Sequence, residues 1–430
     1  MGPLHGGTLA GADPQLHAGG VTVAAAKSRD FNRLWAAQAI SAFGARIARE
    51  GLPIAAITTL AASPASLGLL SALTGLASLG LGLSAGGWVD RQPRRRVLVA
   101  MNLVRAAALA VIPLAALAGF LTLPMILASG TVIAGASTVF IMAEHAILPG
   151  LVAKEHLLGA NARLSATDSV AEIGGPALAG VLFQLLTAPL AVAATAMTWL
   201  GSAFLVLRIR GERPPVPEAS GAEPGLSVLS GFRTAWADPE VRVLFLIQLA
   251  WGLTGGVFGS LYVLFALKTL HLPTGLLGLA IACGGLGALA GAAAGPALER
   301  RLGAGRTLTL VLLLGGLVNL AIGLAPAGVR GGMTALVATR FLGDLFGVTA
   351  MILMSSLRQA RIEADHLGRV SGVFEAAAGG MAVVGALGGA LLAEAAGVRT
   401  AMLAAAILSL ALPALCAASP LARARLPVSG

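Results

Sequence analysis

The sequence predicts an all-α membrane protein with twelve transmembrane helices in two pseudo-symmetric halves of six. Three observations predict this fold. The mean hydropathy is +0.87 and only 11% of the residues are charged, whereas soluble domains have about 25% charged residues. Twelve stretches are each long and apolar enough to cross a bilayer, which takes about 20 residues. Finally, the two halves of the chain match each other in one ungapped register.

The twelve predicted spans follow one another with short connections. We place them near residues 32–60, 66–88, 97–118, 123–146, 160–186, 190–208, 241–267, 275–298, 307–325, 332–356, 367–394 and 400–419. Gly and Ala are abundant in these spans, and such small residues let helix backbones approach closely in lipid.

A polar stretch between the sixth and seventh spans divides the chain. Residues 210–240 contain several prolines and charges of both signs, which is typical of a linker. We therefore expect an N-terminal half at 31–209 and a C-terminal half at 241–420. We expect a disordered tail at 1–30 and a short tail at 421–430.

The repeat relates positions in the two halves at a constant offset of 209. The clearest matches are Arg33 with Arg242, Pro64 with Pro273, and Asp90 with Glu299. A six-plus-six repeat of this kind is an architecture of secondary transporters.

The basic residues predict the orientation. Twenty-two of the 29 Lys and Arg fall on the side of the membrane that holds both termini, while Lys268, Arg330 and Arg399 fall on the other. Basic loops stay in the cytoplasm, so we expect both termini to be cytoplasmic in the cell inner (plasma) membrane. We expect the basic residues behind the net charge of +10 to contact anionic lipid headgroups. We expect no nucleic-acid partner.

The loop after the second span, "GGWVDRQPRRR" at 86–96, has four arginines and one aspartate. It resembles the G-x-x-x-D-R-x-G-R-R signature of the major facilitator superfamily, although Pro93 stands in place of the second glycine. The matching residues are Gly86, Asp90, Arg91, Arg94 and Arg95. The resemblance implies the twelve-helix major facilitator fold.

A second motif lies in span 5. "GGPALAG" at 174–180 resembles the G-P-x-x-G-G antiporter motif of the same superfamily through Gly175, Pro176 and Gly180, with Ala179 departing from the pattern. The stretches at 148–167 and 355–372 resemble the corresponding connections of its macrolide- and siderophore-exporter-like branch.

The resemblance gives the basic loop a role. It implies that Asp90, with Arg91, Arg94 and Arg95 around it, forms a latch against the start of span 11 near Leu367 in the outward-open state. A helix N-terminus favours a carboxylate by roughly 0.3–1 kcal/mol. The alternative is a local pair of Asp90 with Arg91 or Arg94.

Charges inside spans are costly unless paired or hydrated, so they mark candidate functional sites. Span 1 carries Arg46, Arg49 and Glu50, which form either an internal salt bridge or a net-positive cavity wall. Span 10 carries Arg340 and Asp344 at a spacing of four, which predicts an ion pair that is structural or lies at the cavity.

Span 3 adds Arg105, expected to anchor to Asp90 or to a neighbouring carboxylate. Near the inner end of span 4, Glu144 and His145 are expected to snorkel to the interface.

Acidic residues in spans 5 and 11 are candidates for proton coupling. Asp168 and Glu172 lie four residues apart with no basic residue in the following turn, so the membrane interior favours a proton on one of them. Glu172, deeper in the span, is the first candidate, followed by Asp168, Glu375 and Glu50. The alternative is that these acids pair across helices with Arg46, Arg49 or Arg105.

These features predict a secondary active transporter, with proton-coupled efflux of a small amphipathic molecule by alternating access as the main hypothesis. The alternatives are an uptake permease, a lysolipid flippase, or a non-transporting membrane scaffold or sensor. Because no catalytic or metal-binding constellation assembles, we expect neither an enzyme nor a cofactor. We expect a monomer whose partners are its substrate, protons and lipids.

The orientation is testable by cysteine accessibility. Single cysteines placed at Ser220 and at His271 should react with a membrane-impermeant reagent only from the cytoplasm and only from outside, respectively, because the first lies in the basic linker and the second in a loop of the other face. The opposite labelling would invert the orientation and move Asp90 to the outer face.

Overall fold

A computed structural model describes residues 14–153, 156–186, 188–210 and 224–424, without the side chains of 14–28, 224–230, 364 and 365. Within those ranges the chain is helical and contains no β-strand. The predicted all-α membrane fold is therefore confirmed.

The N-terminal half supplies the first six spans and one short helix in the basic loop. Its helices are α1 (Pro14–Leu60), α2 (Pro64–Ser84), α3 (Gly86–Arg91), α4 (Arg94–Leu117), α5 (Leu123–Leu151), α6 (Leu157–Leu185) and α7 (Ala188–Leu207).

The C-terminal half repeats this arrangement after one amphipathic helix. Its helices are α8 (Pro224–Ala237), α9 (Pro239–Leu264), α10 (Thr274–Leu302), α11 (Ala304–Gly323), α12 (Val329–Arg361), α13 (Ala364–Ala396), α14 (Val398–Ser409) and α15 (Ala411–Ala417). A π-helical turn, Phe265–Thr269, extends α9, and the last predicted span is divided into α14 and α15.

Ten of the described helices are long and apolar enough to cross a membrane. The remaining two predicted spans correspond to α1 and α6, both of which carry charged residues near the middle of the span. Three charges fall within five residues of α1, and α6 carries two carboxylates among Gly, Ser and Thr. These charged and polar residues lower the hydropathy of α1 and α6.

Two segments expected to lack structure contain helices. The first helix begins at Pro14, inside the predicted tail at 1–30, because the alanine-rich run before Lys27 continues the helical pattern. Residues 1–13 and 425–430 lie outside the described residues. Part of the predicted linker, 211–223, does so too, whereas α8 occupies the rest and packs on α9 and α13.

A short capping motif starts one helix in each half. Ser63 precedes Pro64 at the start of α2 and its hydroxyl accepts a hydrogen bond from the Ser66 amide. Asp238 precedes Pro239 at the start of α9 and caps the amides of the first turn. Such residues satisfy free amides at a helix start, where proline fits the first turn. Tight connections between helices then need glycine with positive φ, as at Gly303 and Gly397.

The chain alternates between two faces of the membrane. We call the face with the α2–α4 loop and α8 the basic face, and the other the opposite face. The largest apolar core joins both halves near the opposite face, and it includes Leu52, Leu70, Phe183, Phe265 and Leu277. Near the basic face each half has its own separate core. The cleft between the halves therefore opens toward the basic face.

Glycine-rich contacts close the cleft at the opposite face. Gly180 of α6 lies against Gly278 of α10, so that a Cβ at Gly278 would overlap the carbonyl oxygen of Pro176 and lie 2.8 Å from the Cα of Gly180. Gly68 of α2 lies equally close to the backbone of α13 at Ala386. Side chains of normal size would hold these backbones apart.

This packing predicts the effect of Gly278→Val. The added side chain cannot fit against Pro176 and Gly180, so the opposite face should open and the mean distance between spin labels at Leu185 and Ala396 should increase. Pulsed electron paramagnetic resonance measures that distance. Gly201→Val is the control, because a Cβ at Gly201 meets nothing within 4 Å. An unchanged distance distribution in Gly278→Val would show that this contact does not close the cleft.

Candidate functional site

Helices α1 and α6 form the charged wall of the cleft. Hydrogen bonds and ion pairs join the side chains of α1 to those of α6 along the length of the contact. The Trp35 indole donates to the Thr167 hydroxyl at 2.8 Å, and the Gln38 amide donates to Asp168 Oδ2 at 3.1 Å. Deeper in the membrane, Arg46 and Arg49 of α1 meet Glu172 of α6.

Glu172 binds two arginines at once. Its Oε2 lies 2.6 Å from Arg46 Nε, and its Oε1 accepts a hydrogen bond from Arg49 Nη2 at 2.8 Å. The Arg46 contact is an ion pair without hydrogen-bond alignment. Arg49 Nε also donates to Glu50 Oε1 at 3.0 Å. Glu172 therefore pairs across helices with Arg46 and Arg49, as the alternative stated for these acids predicts, and the internal salt bridge of span 1 joins Arg49 to Glu50.

The charged side chains of this wall are open to the cleft. Arg46, Arg49 and Glu172 remain 32%, 45% and 43% exposed although they lie within membrane-spanning helices. Because carboxylates neutralise both arginines, the predicted net-positive cavity wall is wrong. Charges at this depth are tolerated when they are paired and face water.

The "GGPALAG" motif allows this arrangement. Gly175 lies directly beside the stem of Arg46, where a Cβ would overlap the Cβ of that arginine. Gly180 contacts α10, as described above. The motif thus places one face of α6 against the charged part of α1 and another against the C-terminal half.

Asp168 differs from Glu172 in its partners. It is half-buried, and its contact with the Gln38 amide is a neutral hydrogen bond. Arg46 and His145 are near enough to act on it electrostatically, but no ion pair to Asp168 is formed within the described part of the chain. Asp168 is therefore the cleft acid with the weakest charge compensation.

A buried polar network lies behind this wall. Arg105 is 2% exposed, donates to the Ser41 hydroxyl and the Asn102 side chain, and lies over the ring of Phe140 at 4.2 Å. Its electrostatic partner is Glu144. Glu144 is therefore the carboxylate that acts on Arg105, and the expected anchoring to Asp90 is not seen; Arg105 forms no ion pair within the described residues.

Glu144 is a residue that the sequence prediction misjudged. It is only 5% exposed, and within the described residues its Oε1 has no hydrogen-bond partner. It interacts electrostatically with Asp168 as well as with Arg105. Snorkelling is wrong for Glu144 because its side chain turns into the half, whereas His145 is exposed. The sequence signal was Arg105, a buried cation that needs a carboxylate.

The C-terminal half contributes one charged pair to the cleft. Arg340 Nε lies 3.2 Å from Asp344 Oδ2, so the predicted pair is confirmed. Arg340 lies over the Tyr262 ring at 5.5 Å and is close enough to Glu172 to interact with it electrostatically. Charges of both halves therefore face each other across the cleft.

Glu375 is not part of this group. It lies on α13 beside a separate cavity that Gln248 and Arg358 also line. Arg358 interacts with it electrostatically.

The basic loop is not latched in this conformation. Asp90 is exposed, and it forms no ion pair or hydrogen bond with any residue that the structure describes. Arg95 Nη1 donates to the Ile209 carbonyl at 2.8 Å, which ties the start of α4 to the end of α7. A cleft open at the basic face agrees with an unengaged latch, and the roles of Asp90, Arg91 and Arg94 stay predictions.

The described residues contain no group of three or more His, Cys, Asp or Glu side chains placed to hold a metal ion. The candidate functional site is therefore the cleft between the two helical halves, which charged side chains line.

Comparison with known proteins supports this interpretation of the fold. The family model of the Major Facilitator Superfamily matches residues 34–336, which is more than half of the chain. No curated protein matches the sequence.

Solved transporter structures share the architecture at low identity. A mutant of the nucleoside transporter NupG has a TM-score of 0.77 at 12% identity, covering 91% of this chain and 99% of that chain. A bacterial homologue of the iron transporter ferroportin, in an inward-facing state, has a TM-score of 0.73 at 18% identity, covering 90% and 98%. A bacterial homologue of the human lysosomal transporter Spinster, inward-facing and unoccupied, has a TM-score of 0.71 at 14% identity, covering 91% and 96%.

The shared carboxylate predicts the effect of Glu172→Gln. This change leaves Arg46 without a counter-ion and Arg49 with Glu50 alone, so thermal unfolding of the purified protein should show a loss of about 1–2 kcal/mol, a figure reduced from that of a buried pair because water reaches the cleft. Adding Arg46→Gln should restore part of the loss by removing the uncompensated charge. A double variant less stable than Glu172→Gln would contradict this pairing.

Proposed function

The chain belongs to the Major Facilitator Superfamily, and from that premise we propose that it exports a small amphipathic molecule in exchange for protons. The family and the folds it resembles indicate a secondary transporter that works by alternating access, and not an enzyme. Export, proton coupling and the class of substrate are the proposal.

The observation that carries the proposal is the balance of charges in the wall formed by α1 and α6 and in the buried polar network behind that wall. We call the seven residues involved the polar cluster; they are Arg46, Arg49, Arg105, Glu50, Glu144, Asp168 and Glu172. Four carboxyls face three guanidinium groups, so the fully ionised cluster has one excess negative charge. An uncompensated charge inside the membrane is unfavourable. Binding one proton makes the cluster neutral.

Asp168 is the proposed site of that proton. It lacks the ion pair that keeps Glu172 ionised, and its half-exposed position lets protons exchange with the cleft. Glu144, which also lacks a full partner, interacts with Asp168 from behind and shares the excess charge. The other charged groups nearby are the exposed His145 and the Arg340–Asp344 pair, which is neutral by itself.

The same charge balance suggests the substrate. When Asp168 loses its proton to the side on which the cleft is open, the cluster regains one negative charge. A substrate with one positive charge can replace the proton electrostatically, and apolar side chains such as Trp251 and Phe258 in the facing half suit the rest of an amphipathic molecule. One cation thus leaves as one proton enters.

Sequence features support the direction of transport. The basic loops favour a cytoplasmic location for the open face of the cleft, which is the side on which an exporter collects its substrate. The resemblance of 174–180 to the antiporter motif and of the 148–167 and 355–372 connections to the exporter-like branch agrees with export from the cell inner membrane. We infer a monomer, with anionic lipids at the basic loops.

Transport in inside-out vesicles tests the proposal. Cationic drugs, siderophores and lysolipids are added in turn, and proton release from the vesicle lumen is recorded with a pH-sensitive dye. Export by antiport predicts that a transported compound moves protons in the direction opposite to its own. Proton movement in the same direction would indicate an uptake permease, and transport without proton movement a lysolipid flippase or a uniporter.

Asp168→Asn should separate coupling from binding. Asparagine keeps the shape of the side chain but cannot ionise, so accumulation driven by a proton gradient should fall to background while exchange down a substrate gradient continues. Glu375→Gln is the matched control because it removes an acid outside the polar cluster, and it should keep coupled transport. If Asp168→Asn still accumulates substrate, the proton site lies at Glu172 or Glu144 instead.

A further inference from the structure

The C-terminal half contains a cavity among its own helices, which we call the inner cavity. It has a volume of about 210 Å³ and lies among α9, α11, α12 and the junction of α14 and α15. The corresponding interior of the N-terminal half, among α1, α4, α5 and α7, is filled by Arg105 stacked between Phe140 and Trp199.

The cavity adjoins a second cavity of the same half. Four of the residues that line it, Trp251, Gly255, Asp344 and Gly347, also line a neighbouring cavity of about 500 Å³ between α9, α12 and α13. The two cavities share these walls between α9 and α12, which offers a passage from the side of the cleft on which Asp344 lies. The Arg340–Asp344 pair stands on the α12 side of this passage.

The walls of the inner cavity are mainly aromatic and aliphatic. Trp251, Phe258 and Phe346 line it together with Leu312 and Ile322. An engineered apolar cavity of about 150 Å³ is large enough to bind benzene, so one ring fits here. Aromatic walls favour an aromatic or alicyclic group, which they contact edge to face.

One buried polar group in this cavity lacks a partner. Tyr262, the only tyrosine of the chain, is 9% exposed, and its hydroxyl forms no hydrogen bond within the described residues. A buried hydroxyl without a partner is unfavourable by about 1–3 kcal/mol. Asn319 adds a second polar side chain to the lining. A ligand with a hydroxyl or carbonyl oxygen on its ring would satisfy Tyr262.

From these observations we infer that the inner cavity binds the ring of the transported molecule, and that this ring carries an oxygen that hydrogen-bonds to Tyr262. The inference rests on the proposed function for the identity of the ligand as a substrate. It places the apolar end of that substrate in the C-terminal half and its charged end near Asp168 in the N-terminal half. The two halves thus recognise different parts of one molecule.

Equilibrium binding of 4-bromophenol tests this inference without any transport step. The bromine quenches tryptophan fluorescence on contact, and Trp251 lies in the cavity wall. Saturable quenching is expected in the purified full-length protein, and Trp251→Phe should remove it. Quenching that persists in Trp251→Phe would place the probe elsewhere and overturn the assignment.

Two glycines of α9 provide a matched pair of cavity variants. A Cβ at Gly255 or at Gly259 meets no atom within 4 Å, but only Gly255 lines the inner cavity. Gly255→Leu should weaken 4-bromophenol binding at least tenfold, whereas Gly259→Leu should leave it within about twofold. Equal affinities in the two variants would show that the probe does not occupy the cavity.

Tyr262→Phe keeps the volume and removes only the hydroxyl. The parent protein should prefer 4-bromophenol to bromobenzene by about fivefold, a typical effect of one hydrogen bond, and the variant should lose that preference. This comparison decides the question even if Gly255→Leu does not fold. An unchanged preference overturns the role of Tyr262, while failure of proton coupling with intact probe binding would overturn only the proposed function.

Discussion

Neutralisation of charge inside the membrane is the constraint on which the rest of the structure depends. Arg46 and Arg49 can lie at membrane depth because Glu172 binds both, and this shared carboxylate fixes α1 against α6. The close approach of the two helices in turn requires Gly175, since any side chain there would displace the stem of Arg46. One ion-pair group therefore determines the helix spacing, the glycine motif and the shape of the charged wall.

Helices α2 and α13 meet at the closed, opposite face, and the predicted latch would join them at the basic face. At the opposite face, backbones meet through glycines, and Glu394 at the end of α13 accepts a hydrogen bond from the Ala65 amide at the start of α2, at 3.0 Å. At the basic face, Asp90 follows α2 and its predicted partner is the start of α13. The same two helices would then carry one carboxylate contact with a helix N-terminus at each face. Rocking of the halves can engage only one face at a time.

The sequence was sufficient for the fold because hydropathy, the basic loops and the repeat all constrain the chain globally. All twelve spans correspond to helices, and the spacing of four correctly predicted the Arg340–Asp344 pair. The partners of Glu172 and Glu144 were not predictable in this way. Each lies opposite a residue more than thirty positions away, and the choice among several arginines depends on helix rotation, which periodicity does not determine.

The repeat also explains why the halves have unequal roles. Two copies of one six-helix unit give two similar scaffolds, and their interiors differ only where side chains have diverged. The interior of the N-terminal copy holds Arg105 against the rings of Phe140 and Trp199, with Glu144 as the carboxylate that acts on it. The C-terminal copy instead has a mainly apolar cavity beside Tyr262. Charge exchange and apolar recognition can therefore reside in opposite halves and still meet in one cleft.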